Sequence, residues 1–149
     1  MDDAPSDTAV PRTVRDALVD FLSEEGFRPH SGPSEGDLTP ITFKLEGVQL
    51  ILFAHEDDPE YFRLAAAFDL EQGRYDAEAL HRLVNDLNDR MKGVKTVLDL
   101  ESASVRFLVE TFLCGQPVSG ALLERSLSAL RSAADDFFAA CRPPEQLDS

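Results

Sequence analysis

The stretch from Asp76 to Leu113 constrains this chain more than any other. It reads DAEALHRLVNDLNDRMKGVKTVLDLESASVRFLVETFL. Asp76 suits a helix N-cap, because its carboxylate accepts from an unpaired N–H of the first turn. Leu80, Leu83, Val84, Leu87 and Met91 then recur three and four residues apart, which predicts one apolar stripe. Glu78, Arg82, Asp86 and Arg90 alternate in sign four residues apart, the spacing of paired charges on a solvated helix face. Arg90 and Lys92 complement the negative end of the helix, and Gly93 ends it. Val94 to Leu100 and Val105 to Leu113 follow as strands, joined around Ser102-Ala103-Ser104. A striped helix followed by a tight strand pair needs a sheet on which to bury its stripe. Asn85 and Asn88 are poor helix formers and call for a reason. Asn88 borders the stripe, whereas Asn85 lies further out.

The rest of the chain supplies that sheet. Residues 1–10 are acidic, contain Pro and Ser, and lack periodicity, so they read as a disordered tail. Pro11 fits a first helical turn. From Thr13 to Glu25, Val14, Ala17, Leu18, Phe21 and Leu22 keep helical spacing, and Gly26 supplies the stop. Phe27 to Thr39 reads mostly as loop, with room for a short strand near Phe27-Arg28. Ile41 to Leu45 alternates as a half-buried strand, and Glu46-Gly47 signals a hairpin. Val48 to Ala54 is apolar on both faces apart from Gln49, as in a central strand or one covered on both sides. After an acidic loop from His55 to Glu60, Tyr61 to Leu70 alternates again. Ala65, Ala66 and Ala67 there predict a flat patch for close approach of a helix. A last helix from about Ser119 to Cys141 carries Leu123, Leu127, Leu130, Ala134, Phe137 and Cys141 as a heptad-like seam, widened by Leu122 and Phe138. Pro143-Pro144 stops it, and residues 143–149 read as tail. A single domain over residues 11–142 results, in the order α-β-β-β-α-β-β-α. Strands do not alternate with helices, so the class is α+β: a mostly antiparallel five-stranded sheet with helices packed on it.

Composition narrows the function. At 149 residues one domain buries a real core without metal or disulfide. No apolar run approaches the roughly 20 residues of a membrane span. The acidic start lacks the basic-then-apolar order of a signal peptide, so the expected location is the cytoplasm. Cys114 and Cys141 read as small buried hydrophobes, with a disulfide disfavoured in a reducing compartment. Asp and Glu number 28 against 14 Lys and Arg, a net charge of -14. That surface repels phosphate backbones, so direct nucleic-acid binding is not expected. It keeps the protein dissolved and steers a basic partner towards it.

Catalytic signals are missing. His30, His55 and His81 stand apart from one another. His55-Glu56-Asp57-Asp58 lacks the spacing and glycine of a calcium loop and reads as a solvated hairpin tip. No Ser sits in a Gly-x-Ser-x-Gly turn, no base neighbours Cys114, and the glycines are scattered singly rather than gathered into a phosphate loop. Ser119 is a helix-cap candidate. The sequence thus predicts no catalytic residue, no cofactor and no metal ligand.

The hexapeptide Leu83-Val84-Asn85-Asp86-Leu87-Asn88 resembles the signature of the YbjN family. That family carries a helix with an apolar pair, Asn, an acidic residue, a large apolar residue and Asn. A basic segment and two strands follow, matched here by Met91-Lys92-Gly93-Val94-Lys95, Val97-Leu98-Asp99-Leu100 and Phe107-Leu108-Val109. Leu87 stands where the family has a bulky aromatic. The resemblance spans about Thr13 to Cys141. It implies a fold like that of bacterial type III secretion chaperones, a homodimer, and binding of proteins in sensory or stress regulation rather than catalysis. The expectation is a chaperone- or adaptor-like module holding a basic client, such as a nucleic-acid-binding protein. Asn85 and Asn88 are the candidate partner contacts, although Asn88 also reads as bonding backbone where helix meets sheet. The last helix packs on its own sheet, or part of it, with Leu122, Leu123, Phe137 and Phe138, buries a dimer interface. The alternative is a small-ligand sensor with a pocket lined by Phe43, Leu52, Phe68 and Phe107.

Overall fold

The computed structural model describes residues 12–71 and 73–141. Both predicted tails and Pro11 lie outside these. The elements are α1 (Val14–Glu24), β1 (His30–Ser31), β2 (Leu38–Leu45), β3 (Val48–His55), β4 (Tyr61–Asp69), α2 (Ala77–Arg90), β5 (Val94–Asp99), β6 (Ser104–Phe112) and α3 (Gly120–Cys141). The helices begin as the caps dictate. Thr13 accepts from Asp16 N–H, Asp76 from Ala79 N–H and Ser119 from Leu122 N–H.

The strands form one sheet in the order β1-β2-β3-β4-β6-β5, with every neighbour antiparallel. It has six strands, not the five expected. The extra one, His30-Ser31, pairs with Thr42 and Ile41. Two residues carry no readable period, and their Gly, Pro and Ser neighbours mask them. β2 also starts earlier than the alternation suggests and runs through Pro40. The Pro40 carbonyl points to β1, accepting from Gly32 N–H at 2.8 Å, so its missing N–H faces the shortest strand of the sheet.

One row of residues runs across the sheet under the helices. Ile41 pairs with Leu52, Leu52 with Leu64, Leu64 with Val109, and Val109 with Val94. All five are buried in the core cluster together with Leu18 and Leu22 of α1, Leu80 and Leu87 of α2, and Leu123, Leu130 and Phe137 of α3. Phe107 meets the rings of Phe68 and Phe137 edge-on at 5.8 and 5.6 Å. Each such side chain withdrawn from water contributes about 1.5–3 kcal/mol. All three helices therefore share one face of the sheet.

The adjacent row, on the opposite face, is Thr42, Ile51, Ala65, Leu108 and Lys95. Ala65 and Leu108 are buried yet belong to no helix-covered cluster. Their cover comes from neighbouring side chains of the sheet itself. β3 is thus a central strand of the sheet, covered by helices on one side only. Its outward Ile51 and Phe53 are half-buried by strand neighbours, which suffices to make both faces apolar. Of the three alanines, Ala66 faces the helices, while Ala65 and Ala67 face away.

The cysteines also depart from expectation. Cys114 is exposed in the turn after β6, in the left-handed region at φ 55°, and Cys141 is half-buried at the end of α3. Both are free thiols; β6 ends at Phe112, two residues too early to bury Cys114. Burial pushes the Cys141 thiol up, away from reactivity. No described helix is long and apolar enough to cross a membrane.

Candidate protein-binding site

Asn88 clamps the edge of the sheet. β5 is the last strand, and its free edge is turned away from β6. Thr96 N–H donates to Asn88 Oδ1 at 2.7 Å, and Asn88 Nδ2 donates to the Thr96 carbonyl at 3.1 Å. The side-chain amide of α2 stands in for the amide and carbonyl of a missing strand. An open edge would otherwise template pairing with another chain. Asn85 is exposed, and its side chain makes no hydrogen bond among the described residues, so it is available to a partner.

The four α3 residues divide. Leu123 and Phe137 are 2% and 0% exposed inside their own core and have no surface to offer a second copy. Leu122 and Phe138 are half-buried and keep some. The heptad spacing marks a buried seam whatever covers it, and here the chain's own sheet covers most of it. The pocket expected between Phe43, Leu52, Phe68 and Phe107 is filled core: Phe43, Leu52 and Phe107 are at most 2% exposed.

Phe68 borders a cavity on its other side. A groove of about 480 Å³ runs between α3 and the sheet end that carries the β2–β3 turn. Val48, Phe68, Leu127 and Phe138 line its floor, and Glu46, Glu124, Asp135 and Arg131 its rim. Arg131 reaches across to pair with Glu46. Three carboxylates against one guanidinium leave the rim anionic. Leu127 and Phe138 were legible as apolar helix positions, but the groove depends on the angle at which α3 crosses the sheet.

The uncovered face of the sheet is built differently. Glu110 sits among Tyr61, which donates its hydroxyl to it, Lys95 Nζ at 2.9 Å and Arg63 Nε at 3.8 Å. The Tyr61 hydroxyl and the Lys95 ammonium hold the Glu110 carboxyl below its usual range. Burial, then the same carboxylate, pushes the Tyr61 phenol up. The Arg63 guanidinium lies 4.3 Å from the centre of the Phe53 ring, a cation–π contact. Tyr61 packs between His55 and Phe112 at 4.9 and 5.7 Å, and Phe112 is 65% exposed.

Glu56 was missed from sequence. It is no free hairpin tip, because its two carboxylate oxygens accept from Val14 N–H and Arg15 N–H, each at 2.9 Å. It ties the β3–β4 turn to the positive end of α1. Among the described residues no group of three or more His, Cys, Asp or Glu is placed to hold a metal ion.

The sheet order and the helices on a single face make a type III secretion chaperone-like fold. The structure is similar, over 88% of this chain and 95% of the other, to a chain of the ExsC–ExsE complex, at 14% identity and a TM-score of 0.59; ExsC is a type III secretion chaperone. It is also similar to an uncharacterized protein from Methanothermobacter thermautotrophicus, at 18% identity and a TM-score of 0.66 over 86% of this chain and 96% of that one. No curated protein matches the sequence. The YbjN family, described as "Putative bacterial sensory transduction regulator", matches residues 15–143, and this chain belongs to that family.

Proposed function

We propose that this chain is a non-catalytic, chaperone- or adaptor-like protein-binding module of bacterial regulation or stress response. It works in the cytoplasm as a homodimer and holds a basic client segment. The observation that carries the reading is the groove: an apolar floor for a client's hydrophobic side chains inside a rim of Glu46, Glu124 and Asp135. Such a rim speeds encounter with a cationic segment and disfavours an anionic one. Nucleic-acid-binding proteins are one class of client with the required basic patches. Likeness to ExsC, a chain crystallised with the protein ExsE, supports a protein partner in this fold. Leu122 keeps surface for the dimer contact, while Phe138 serves the groove.

The test is affinity capture from the native host with wild-type protein and an E124K/D135K variant, read by mass spectrometry at low and high salt. The reading expects one stoichiometric basic protein, lost from the variant and weakened by salt. Recovery of the bait alone, or capture indifferent to both changes, contradicts it. Sedimentation of Leu122→Asp, expected to shift dimer towards monomer, tests the dimer separately.

A further inference from the structure

The uncovered face of the sheet collects bases in a protein dominated by acids. Lys95 pairs with Leu108 in the strand register, Arg106 with Ala67 and Val97, and Lys44 with Gln49, so Lys95, Arg106 and Lys44 point to this side. Arg63 lies over Phe53 on the same side. Where β1 meets β2, a hollow of about 590 Å³ is lined by Arg28, His30, Lys44 and Gln49. Against these bases the middle of the face sets one carboxylate, Glu110, already held by Arg63 and Lys95. Asp69 and Asp99 enter only in the last row, opposite Ser104.

Pairing makes the asymmetry plain. Arg12, Arg15, Arg74, Arg82 and Arg90, on or beside α1 and α2, each have a carboxylate partner. Arg28, Lys44 and Arg106 have no ion pair within 4 Å among the described residues, although acids outnumber bases 28 to 14. Elsewhere among the described residues Lys92 and Arg125 share that condition. Arg106 acts on Asp99 through space but does not pair with it. Bases outnumber acids on this face, while Ile51, Phe53, Val97 and the exposed Phe112 give it apolar area.

We propose that this face docks an acidic polypeptide segment, extended across the strands, with carboxylates at Lys44 and Arg106 and apolar side chains on Ile51, Val97 and Phe112. Charge complementarity selects this occupant over the others. A second copy set face to face would bring the same excess of bases, Lys44 and Arg106 among them, against itself. A single-stranded nucleic acid needs free ring faces. Here Arg63 occupies the face of Phe53, and His55, Tyr61 and Phe112 tilt against one another at 56° and 38°. The site is separate from the acid-rimmed groove and does not depend on the client proposed for it.

The test uses the full chain, methyl-labelled, with a fluorescent peptide of alternating Glu and Leu. A matched Lys/Leu peptide and oligothymidylate are the competing probes. The Glu peptide should bind at low salt, shift the Ile51 and Leu108 methyls, and weaken roughly tenfold at high salt. K44E/R106E should weaken it by about tenfold or more, the milder K44Q/R28Q less, and Arg82→Glu on α2 not at all. The inference is overturned if the Glu peptide fails to bind or shifts Leu127 instead. It is equally overturned if oligothymidylate or the Lys peptide moves the same methyls, or if K44E/R106E turns a wild-type dimer into a monomer.

Discussion

The groove beside α3 and the uncovered face of the sheet lie on opposite sides of the same strands, yet they are opposites in charge. The groove combines an apolar floor with Glu46, Glu124 and Asp135. The open face combines Ile51 and Phe53 with Lys44, Arg63, Lys95 and Arg106. A net charge of -14 describes the first and misdescribes the second. Whole-chain charge sets long-range steering, but local placement decides what can dock.

Neighbouring residues of β3 give the largest contrast between the two sides. Leu52 is fully buried under the helices, while Ile51 is half-buried on the open face. Leu52→Ala should cost about 2–5 kcal/mol in denaturant unfolding, from lost burial and a residual cavity. Ile51→Ala should cost about 1 kcal/mol, because strand neighbours and water fill the gap. Equal costs would mean that something covers the open face.

Asn88→Ala comes next, at about 1–3 kcal/mol, because it strips both hydrogen bonds from Thr96 at the sheet edge. Amide exchange should speed up at Thr96, and association through the freed edge should rise with concentration. Glu56→Gln should cost about 1 kcal/mol by weakening the carboxylate cap on α1.

Glu110 probes the open face through pH. Its carboxyl is depressed when folded, so its contribution is present above the ordinary carboxylate range and lost as pH falls through the folded value. Below about pH 4.5 the wild-type Tm should fall more steeply than that of Glu110→Gln. Parallel curves would remove Glu110 from the charge balance of that face.

Much of the fold was legible because it is written in local chemistry. Asp76 and Ser119 cap their helices as read, and the stripe of α2 and the seam of α3 face the core. The Glu78–Arg82 and Asp86–Arg90 pairs form at 2.9 Å each. What the sequence hid is long-range. β1 exists through its pairing with β2, and Glu56 meets α1 across 42 residues of chain. Alternation in β3 could not reveal which apolar side the helices cover. The groove and the cationic face required knowing that all three helices choose the same side. Asn88 stood out as an anomaly, but its partner, the free edge of β5, is a property of strand order.

Competition between two peptides tests the account most directly. Protein saturated with the Glu/Leu peptide is titrated with the Lys/Leu peptide, with the Ile51 and Leu127 methyls observed together. Two surfaces of opposite sign predict that both peptides are held at once, with the Lys peptide shifting Leu127 and the Ile51 signal left in its bound position. Mutual exclusion, with one peptide displacing the other from a single set of methyls, would contradict it.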